Sequence, residues 1–225
     1  AVRTNLLFAK SVILVEGDAE EILVPQLCKR VLGVSLDELG ISLINIRSTG
    51  FENVATIFDD KRIRRRCAIV TDLDKSIVDT SANSSDDART RKFRKKCKRS
   101  ERVGKRRKER LTKFAEDNEW MEVFYATYTF EVDFVASGNE HEVKRLVDSC
   151  YSAEKTKDSA SQELDSDDVA VYGRRVLTMA NSLGKGWFAI ELSNHVDYYT
   201  YIPDYILRAI RFARQDFGRE LWVTI

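Results

Sequence analysis

A chain of 225 residues with 43% hydrophobic and 10% aromatic residues can bury a sizeable core, and with ten glycines and two prolines it holds little material for long disordered linkers. The length suits one domain with an insertion, or two small lobes on a shared core, and no apolar run approaches the length of a membrane span. Net charge is +1 while 32% of residues are charged, and the near-zero sum conceals a local excess: fifteen Lys and Arg lie between Arg89 and Lys113, against Glu101 and Glu109 alone. Such a cluster suits nucleic-acid phosphate or an acidic partner.

The first ten residues lack the hydrophobic core of a cleavable leader, and the missing initial Met suggests a processed chain or an excised fragment. Val12 to Val15 is a short apolar run that reads as a buried strand. Asp18 is placed to cap a helix carrying Ile22, Leu23, Leu27, Val31 and Leu32. A second strand is predicted over Ile41 to Ile46, followed by a turn and a helix with Val54, Ile57 and Phe58. A third strand spans Cys67 to Thr71 and ends at Asp72. Strands alternating with helices argue for a parallel α/β sheet.

Ser81 to Asp87 reads as a polar loop. The basic stretch from Arg89 to Lys113 has no strong apolar stripe and reads as a solvated helix or a mobile arm. A fourth strand is expected over Met121 to Ala126, then a helix with Phe134, Val135, Val143, Leu146 and Val147. Ser152 to Asp168 is polar and acidic, so a loop or boundary is expected there. Val169 to Leu183 has helical period, Gly184-Lys185-Gly186 breaks it, and a further helix runs from Trp187 to about His195. Pro203 opens a last helix with Tyr205, Ile206, Ala209, Ile210, Ala213 and Phe217 on its buried stripe.

The chemistry lies in the carboxylates. Glu16 leaves the first strand and Glu20 follows one helical turn later, so both can face one cavity. Asp72 and Asp74 follow the third strand, where residues i and i+2 of an extended chain point to the same side. Ligand sites of open parallel sheets lie beyond the carboxyl ends of the strands, so the two pairs can meet there. Four carboxylates brought together repel one another without a cation. Oxygen-rich clusters suit Mg²⁺ or Mn²⁺, and two such ions can clamp the attacking and leaving oxygens of a phosphodiester. The cysteines at 28, 67, 97 and 150 and the histidines at 141 and 195 form no zinc pattern. They read as reduced thiols and ordinary surface or core residues of a cytoplasmic protein.

V-I-L-V-E-G-D-A-E-E followed by I-V-T-D-L-D resembles the Toprim domain of topoisomerases, primases and several nucleases. R-S-T-G-F-E-N-V, T-F-E-V-D, G-K-G-W-F-A and Y-I-P-D-Y-I-L-R-A-I extend the resemblance to the nuclease half of the overcoming-lysogenization-defect (OLD) family. That resemblance implies an α/β fold, a Toprim-like Rossmannoid parallel sheet flanked by helices, with an added helical subdomain. Its expected limits are a catalytic core over residues 1–133 that includes the basic segment 89–113, a helical insertion over 134–183, and a return to the core over 184–225.

The resemblance further implies a DNA endonuclease that nicks or cuts both strands with two Mg²⁺ or Mn²⁺ ions. Glu16, Glu20, Asp72, Asp74, Glu131 and Asp133 match the metal-binding acids. Glu16 is also the leading candidate to activate water, and Lys185 matches a lysine that stabilises charge on the scissile phosphate. The glycines beside Lys185 would let backbone approach that phosphate. Arg91, Lys92, Arg94, Lys95, Lys96, Lys105, Arg106 and Arg107 are the expected DNA contacts. Family members carry an N-terminal ATPase; this chain has no G-x-x-x-x-G-K-[ST] loop, so that domain is expected in a parent chain.

Two alternatives stand beside this reading. A-I-V-T-D-L-D-K-S also looks like the nucleophile motif of haloacid-dehalogenase-type phosphatases, with Asp72 as nucleophile, Asp74 as acid/base and Ser76 in the hydroxyl position. Lys75 replaces the usual glycine of that motif, and the strand is the third. The other alternative is a nucleic-acid-binding Toprim module without catalysis.

Overall fold

A computed structural model of the chain describes residues 9–47, 50–81 and 86–214. Ser48 and Thr49 of the glycine turn, part of the polar loop before the basic stretch, and Phe217 of the last apolar stripe lie outside the described residues. Four strands, β1 (Ser11–Val15), β2 (Ile41–Asn45), β3 (Cys67–Asp72) and β4 (Met121–Ala126), form an all-parallel sheet in the order β2-β1-β3-β4. Every residue of β1 is buried, because helices cover both faces of the sheet. That is why its sequence is an unbroken apolar run rather than an alternating one.

Side-chain alternation divides the core into two layers. Ile13, Val15, Ala68, Val70 and Phe124 face one cluster; Val12, Leu14, Cys67, Ile69 and Met121 face the other. On the first face lies α1 (Asp18–Val31), which presents Leu23, Val24, Leu27 and Cys28. Gly17 is its N-cap; Asp18, expected as the cap, is instead its first residue. On the second face lies α2 (Phe51–Ala55), with Phe51 and Ala55 buried. This helix ends before Ile57 and Phe58, which pack from the turn that follows.

The basic stretch is one helix, α3 (Ala88–Ala115), capped by the Asp87 side chain on the Thr90 amide. It is not an arm. Its inward residues run Thr90, Phe93, Cys97, Ser100, Gly104, Arg107, Leu111 and Phe114, alternating steps of three and four, which is the spacing of a helical seam. Phe93 packs against the first core layer, while Leu111 and Phe114 pack in the second. The helix therefore crosses from one face of the sheet to the other.

The expected single helix after β4 is three short ones: α4 (Phe130–Ala136), α5 (Glu140–Lys144) and α6 (Val147–Cys150). Buried Asn139 sits at the first break; its amide donates to the carbonyls of Phe134 and Tyr201, and its oxygen accepts from the Tyr201 amide. The polar segment after residue 152 is also helical, as α7 (Glu154–Leu164). Only Ala160 and Leu164 are buried in it, so its apolar stripe is too thin to register by period. α8 (Val169–Leu183), α9 (Lys185–Ser193) and α10 (Asp204–Ala213) complete the first layer. α9 packs on α1, and α10 on β3 and β4. No helix among the described residues is long and apolar enough to cross a membrane.

Candidate metal-phosphate site

Because Leu14 is opposite Ile69 in the parallel β1–β3 pair, β1 ends two residues short of the end of β3 at the same edge of the sheet. Glu16 then lies beside Thr71, whose hydroxyl donates to Glu16 Oε2 at 2.9 Å. A cavity of about 480 Å³ opens at this edge, with Glu16, Asp18, Glu20, Arg47, Asp72, Glu131 and Lys185 as its charged lining. Four of the acids expected from the sequence thus meet, drawn from β1, α1, β3 and α4. Lys185 arrives from the start of α9.

Glu20, on the first turn of α1, is 5% exposed. Its carboxylate folds back over Gly17, where an added Cβ would sit 2.7 Å from Glu20 Oε2. A side chain in place of the glycine after Glu16 would have to displace this carboxylate end. Burial pushes the Glu20 pKa up to about 7; Glu131 and Glu16 add to the rise, opposed by its own backbone amide and Lys185. Burial likewise raises the Asp72 carboxyl well above the usual range, with Glu20, Glu131 and Asp74 contributing. Asp72 Oδ1 is buried with no hydrogen-bond partner. An unpartnered buried carboxylate oxygen is costly, and its natural relief is a proton or a cation.

Glu131 is 2% exposed. One oxygen accepts from the Thr129 hydroxyl at 2.7 Å, and the other pairs with Lys185 Nζ at 3.0 Å. Burial works against the Lys185 ammonium, but Glu131, Asp72 and Glu20 outweigh it and hold its pKa above the ordinary value. The side chain is still half exposed, so this cation faces both the acids and the solvent a substrate would enter from.

The remaining acids lie differently. Asp74 has a φ of 52°, so the chain has left the extended conformation that would align it with Asp72. Instead of the main cavity, it lines a neighbouring one that shares Lys185 with it. Burial raises the Asp74 pKa, and Arg107 opposes the rise. Asp133 follows Glu131 on α4 but points to another side of the helix, where it accepts the Tyr128 amide at 2.7 Å. Burial raises its pKa to about 6 against the hydrogen bonds from Tyr128 and Thr127. It braces the loop entering α4 and does not line the main cavity.

The expected DNA-contacting cations also divide. Arg91, Lys92, Lys95, Lys96, Lys105 and Arg106 are exposed on α3. Arg94 turns back to Asp86 at 2.9 Å. Arg107 turns fully inward: its Nη1 lies 3.1 and 3.2 Å from the Glu16 oxygens, and its Nη2 donates to Asp74 Oδ2 at 2.8 Å and to the Asp72 carbonyl at 2.6 Å. Gly104, one turn earlier, permits this approach, since an added Cβ would fall 1.8 Å from the Leu73 carbonyl oxygen. Sequence reasoning placed Arg107 among surface cations; the seam spacing through Gly104 and Leu111 was the one signal of its inward position. A second group missed is Tyr205 on α10. Its buried hydroxyl has no hydrogen-bond partner, and burial with Asp72 and Glu20 nearby raises its pKa well above the usual value.

Among the described residues, no three Asp, Glu, His or Cys side chains converge closely enough to hold an ion between them. The donor set nonetheless suits a hard divalent cation. It is all oxygen, it includes the unpartnered Asp72 Oδ1, and part of its charge is met by Arg107 and Lys185.

Both acidic pairs fall inside the segment that decides the kinship. Residues 7–74 match the TOPRIM domain described as overcoming lysogenization defect protein-like. Over that segment, under a third of the chain, the sequence is similar to the OLD-like Toprim domain. The match ends at Asp74, so Glu131, Arg107 and Lys185 lie beyond it. Likeness of fold extends further. The C-terminal region of the Burkholderia pseudomallei OLD protein superposes with a TM-score of 0.68 at 25% identity, covering 92% of this chain and 98% of that one. The C-terminal region of the Xanthomonas campestris pv. campestris OLD protein gives 0.63 at 21% identity, covering 94% and 95%. No curated protein sequence matches the chain. The Toprim core and its added helices thus share the α/β architecture of OLD C-terminal regions.

Proposed function

We propose that this OLD-like Toprim chain is a divalent-metal-dependent DNA endonuclease, nicking or cutting both strands by two-metal hydrolysis of a phosphodiester. One observation carries the reading: Glu16, Glu20, Asp72, Glu131 and Lys185, from separate elements, line one cavity at the carboxyl ends of β1 and β3. Glu16, Glu20 and Asp72, with Asp74 at the far side of Glu16, are the residues to hold Mg²⁺ or Mn²⁺. Bound ions would supply charge neutralisation and an activated water.

The chain's own residues have separable tasks. Lys185 offers its ammonium to a non-bridging phosphate oxygen, and Glu131 orients it through the 3.0 Å ion pair. Exposed cations of α3 hold the DNA backbone without reading bases. Asp133 serves the loop before α4 rather than a metal. An N-terminal ATPase in a parent chain and a cytoplasmic location belong to the same reading. The phosphatase alternative gains little support, because the Ser76 hydroxyl it needs donates to the Val78 carbonyl at 2.6 Å.

The test is cleavage of supercoiled plasmid with Mg²⁺ or Mn²⁺. Wild type should produce nicked or linear DNA, and Glu20→Ala and Asp72→Ala should each abolish it. Metal-supplemented protein that binds no metal and cuts neither DNA nor RNA would sink the reading. Phosphomonoester turnover that survives Glu20→Ala would favour the phosphatase.

A further inference from the structure

α3 carries many cations to the solvent but turns one inward. The Arg107 side chain is 6% exposed, and its guanidinium bridges the carboxylate that ends β1 to the one that follows β3, within 3.2 Å of both Glu16 oxygens and at 2.8 Å from Asp74 Oδ2. These are the oxygens a divalent ion needs at that end of the site. A guanidinium keeps its charge at any accessible pH, and its fork matches two acceptors at once. Its Nε is buried without a partner, so the group is not placed for complete hydrogen bonding. What it does satisfy is the charge of two acids that would otherwise repel. The close approach of Gly104 to the Leu73 carbonyl fixes α3 at the depth this requires. At the other end of the site Asp72 Oδ1 has no hydrogen-bond partner among the described residues, and Lys185 acts on Asp72 and Glu20 only through its charge. The two ends therefore differ: one is filled by a side chain and the other is open.

We propose that Arg107 is a resident cation that competes with a divalent ion for Glu16 and Asp74. The Glu20–Asp72 end then loads first, and the Glu16–Asp74 end loads only when Arg107 gives way. This rests on the metal-dependent function proposed for the chain and adds to it an order of loading set by the chain itself. The same number of acids gives two unequal affinities because, of these four, only Glu16 and Asp74 are held in direct ion pairs with a cation.

The test titrates Mn²⁺ into the whole chain stripped of metal, reading the free-ion signal by electron paramagnetic resonance. Arg107→Gln should tighten the weaker binding step by about tenfold, the scale expected for removing one competing charge at partial solvent screening. Arg107→Lys keeps the charge but loses the fork, and should tighten that step by roughly threefold. An unchanged or weaker second step in folded Arg107→Gln overturns the competition; if that variant fails to fold, the same outcome in Arg107→Lys does so. A chain that folds with neither substitution marks Arg107 as a structural ion pair and overturns it as well. Asp72→Asn and Glu20→Gln separate the two ideas. A tighter Mn²⁺ step that survives both sinks the metal reading and the competition with it. A tighter step that both abolish, beside a weaker step that Arg107→Gln leaves unaltered, sinks the competition alone.

Discussion

Asp72 sets site chemistry against fold stability. Its carboxyl is buried, one oxygen is unpartnered and three other acids raise its pKa. Without a cation the folded chain must either bury that charge or hold a proton well above the pH where a free carboxyl would lose it, and both cost stability. Asp72→Asn is therefore expected to stabilise metal-free protein by about 1 kcal/mol, or roughly 2–4 °C in melting temperature for a domain of this size, while abolishing cleavage. Calorimetry in EDTA checks the first half, and a lowered melting temperature would count against it. Lys185 makes the opposite case. Lys185→Ala should reduce cleavage by about 10²-fold, the usual scale for losing one electrostatic stabiliser of the transition state. Mn²⁺ affinity should hold or rise, since a positive charge leaves the cavity. A parallel loss of metal binding would mean that Lys185 organises the acids rather than the phosphate.

α3 does two jobs on opposite sides of one helix. Its inner seam locks it against the Leu73 carbonyl at Gly104 and into the second core layer at Leu111. Its outer side carries Lys95, Lys98, Arg99, Arg102 and Lys105 around one groove. Lys95→Ala, Lys98→Ala and Arg102→Ala combined should weaken duplex binding at low salt. The slope of log affinity against log salt should fall by up to about 3, close to one counterion for each phosphate no longer neutralised. Mn²⁺ affinity should not move. An unaltered slope, measured by fluorescence anisotropy across a salt series, would remove this face from the DNA interface. Gly104→Ala belongs to the inner side. It forces the helix away from Leu73 and should cost about 1–3 kcal/mol of stability, as overpacking does, read as a lower urea midpoint. This element also shows how a pattern escapes a sequence reading. Ser100, Gly104 and Arg107 occupy seam positions that period analysis expects to be apolar, so the helix reads as solvated throughout. α7 escapes for the converse reason, with only two buried residues to mark its face.

At the scale of the whole molecule, the acid cluster ties stability to pH and, under the proposed function, to metal. Burial raises Glu20 to about 7 and Asp133 to about 6. A raised carboxyl means that the folded chain binds more protons than the unfolded chain between the unfolded and folded values. Stability accordingly falls as pH rises through that window. Metal-free protein should lose melting temperature steadily from about pH 5 to pH 8, and saturating Mn²⁺ should remove most of the loss by binding the ionised form. Glu20→Gln should flatten the metal-free profile in the upper part of that range. A melting temperature that climbs from pH 5 to pH 8 in EDTA would contradict the burial of these acids.

Much of this arrangement is legible without coordinates. Apolar runs buried on both faces announce a parallel sheet. The positions of Glu16 and Asp72 just past two such runs announce where their carboxylates go, because strands that pair in parallel must end at one edge. The sequence alone determined those strands, both acidic pairs and the basic character of the stretch after them. Tertiary structure alone decided which charges meet. It turned Asp74 out of line through one positive φ, drew Asp133 to a loop amide, and brought Arg107 across a long interval of chain onto Glu16. Local periodicity fixes which way a strand or helix faces. The partner of a buried charge depends on which distant element crosses above it, and here that was decided by a helix resting on a single glycine.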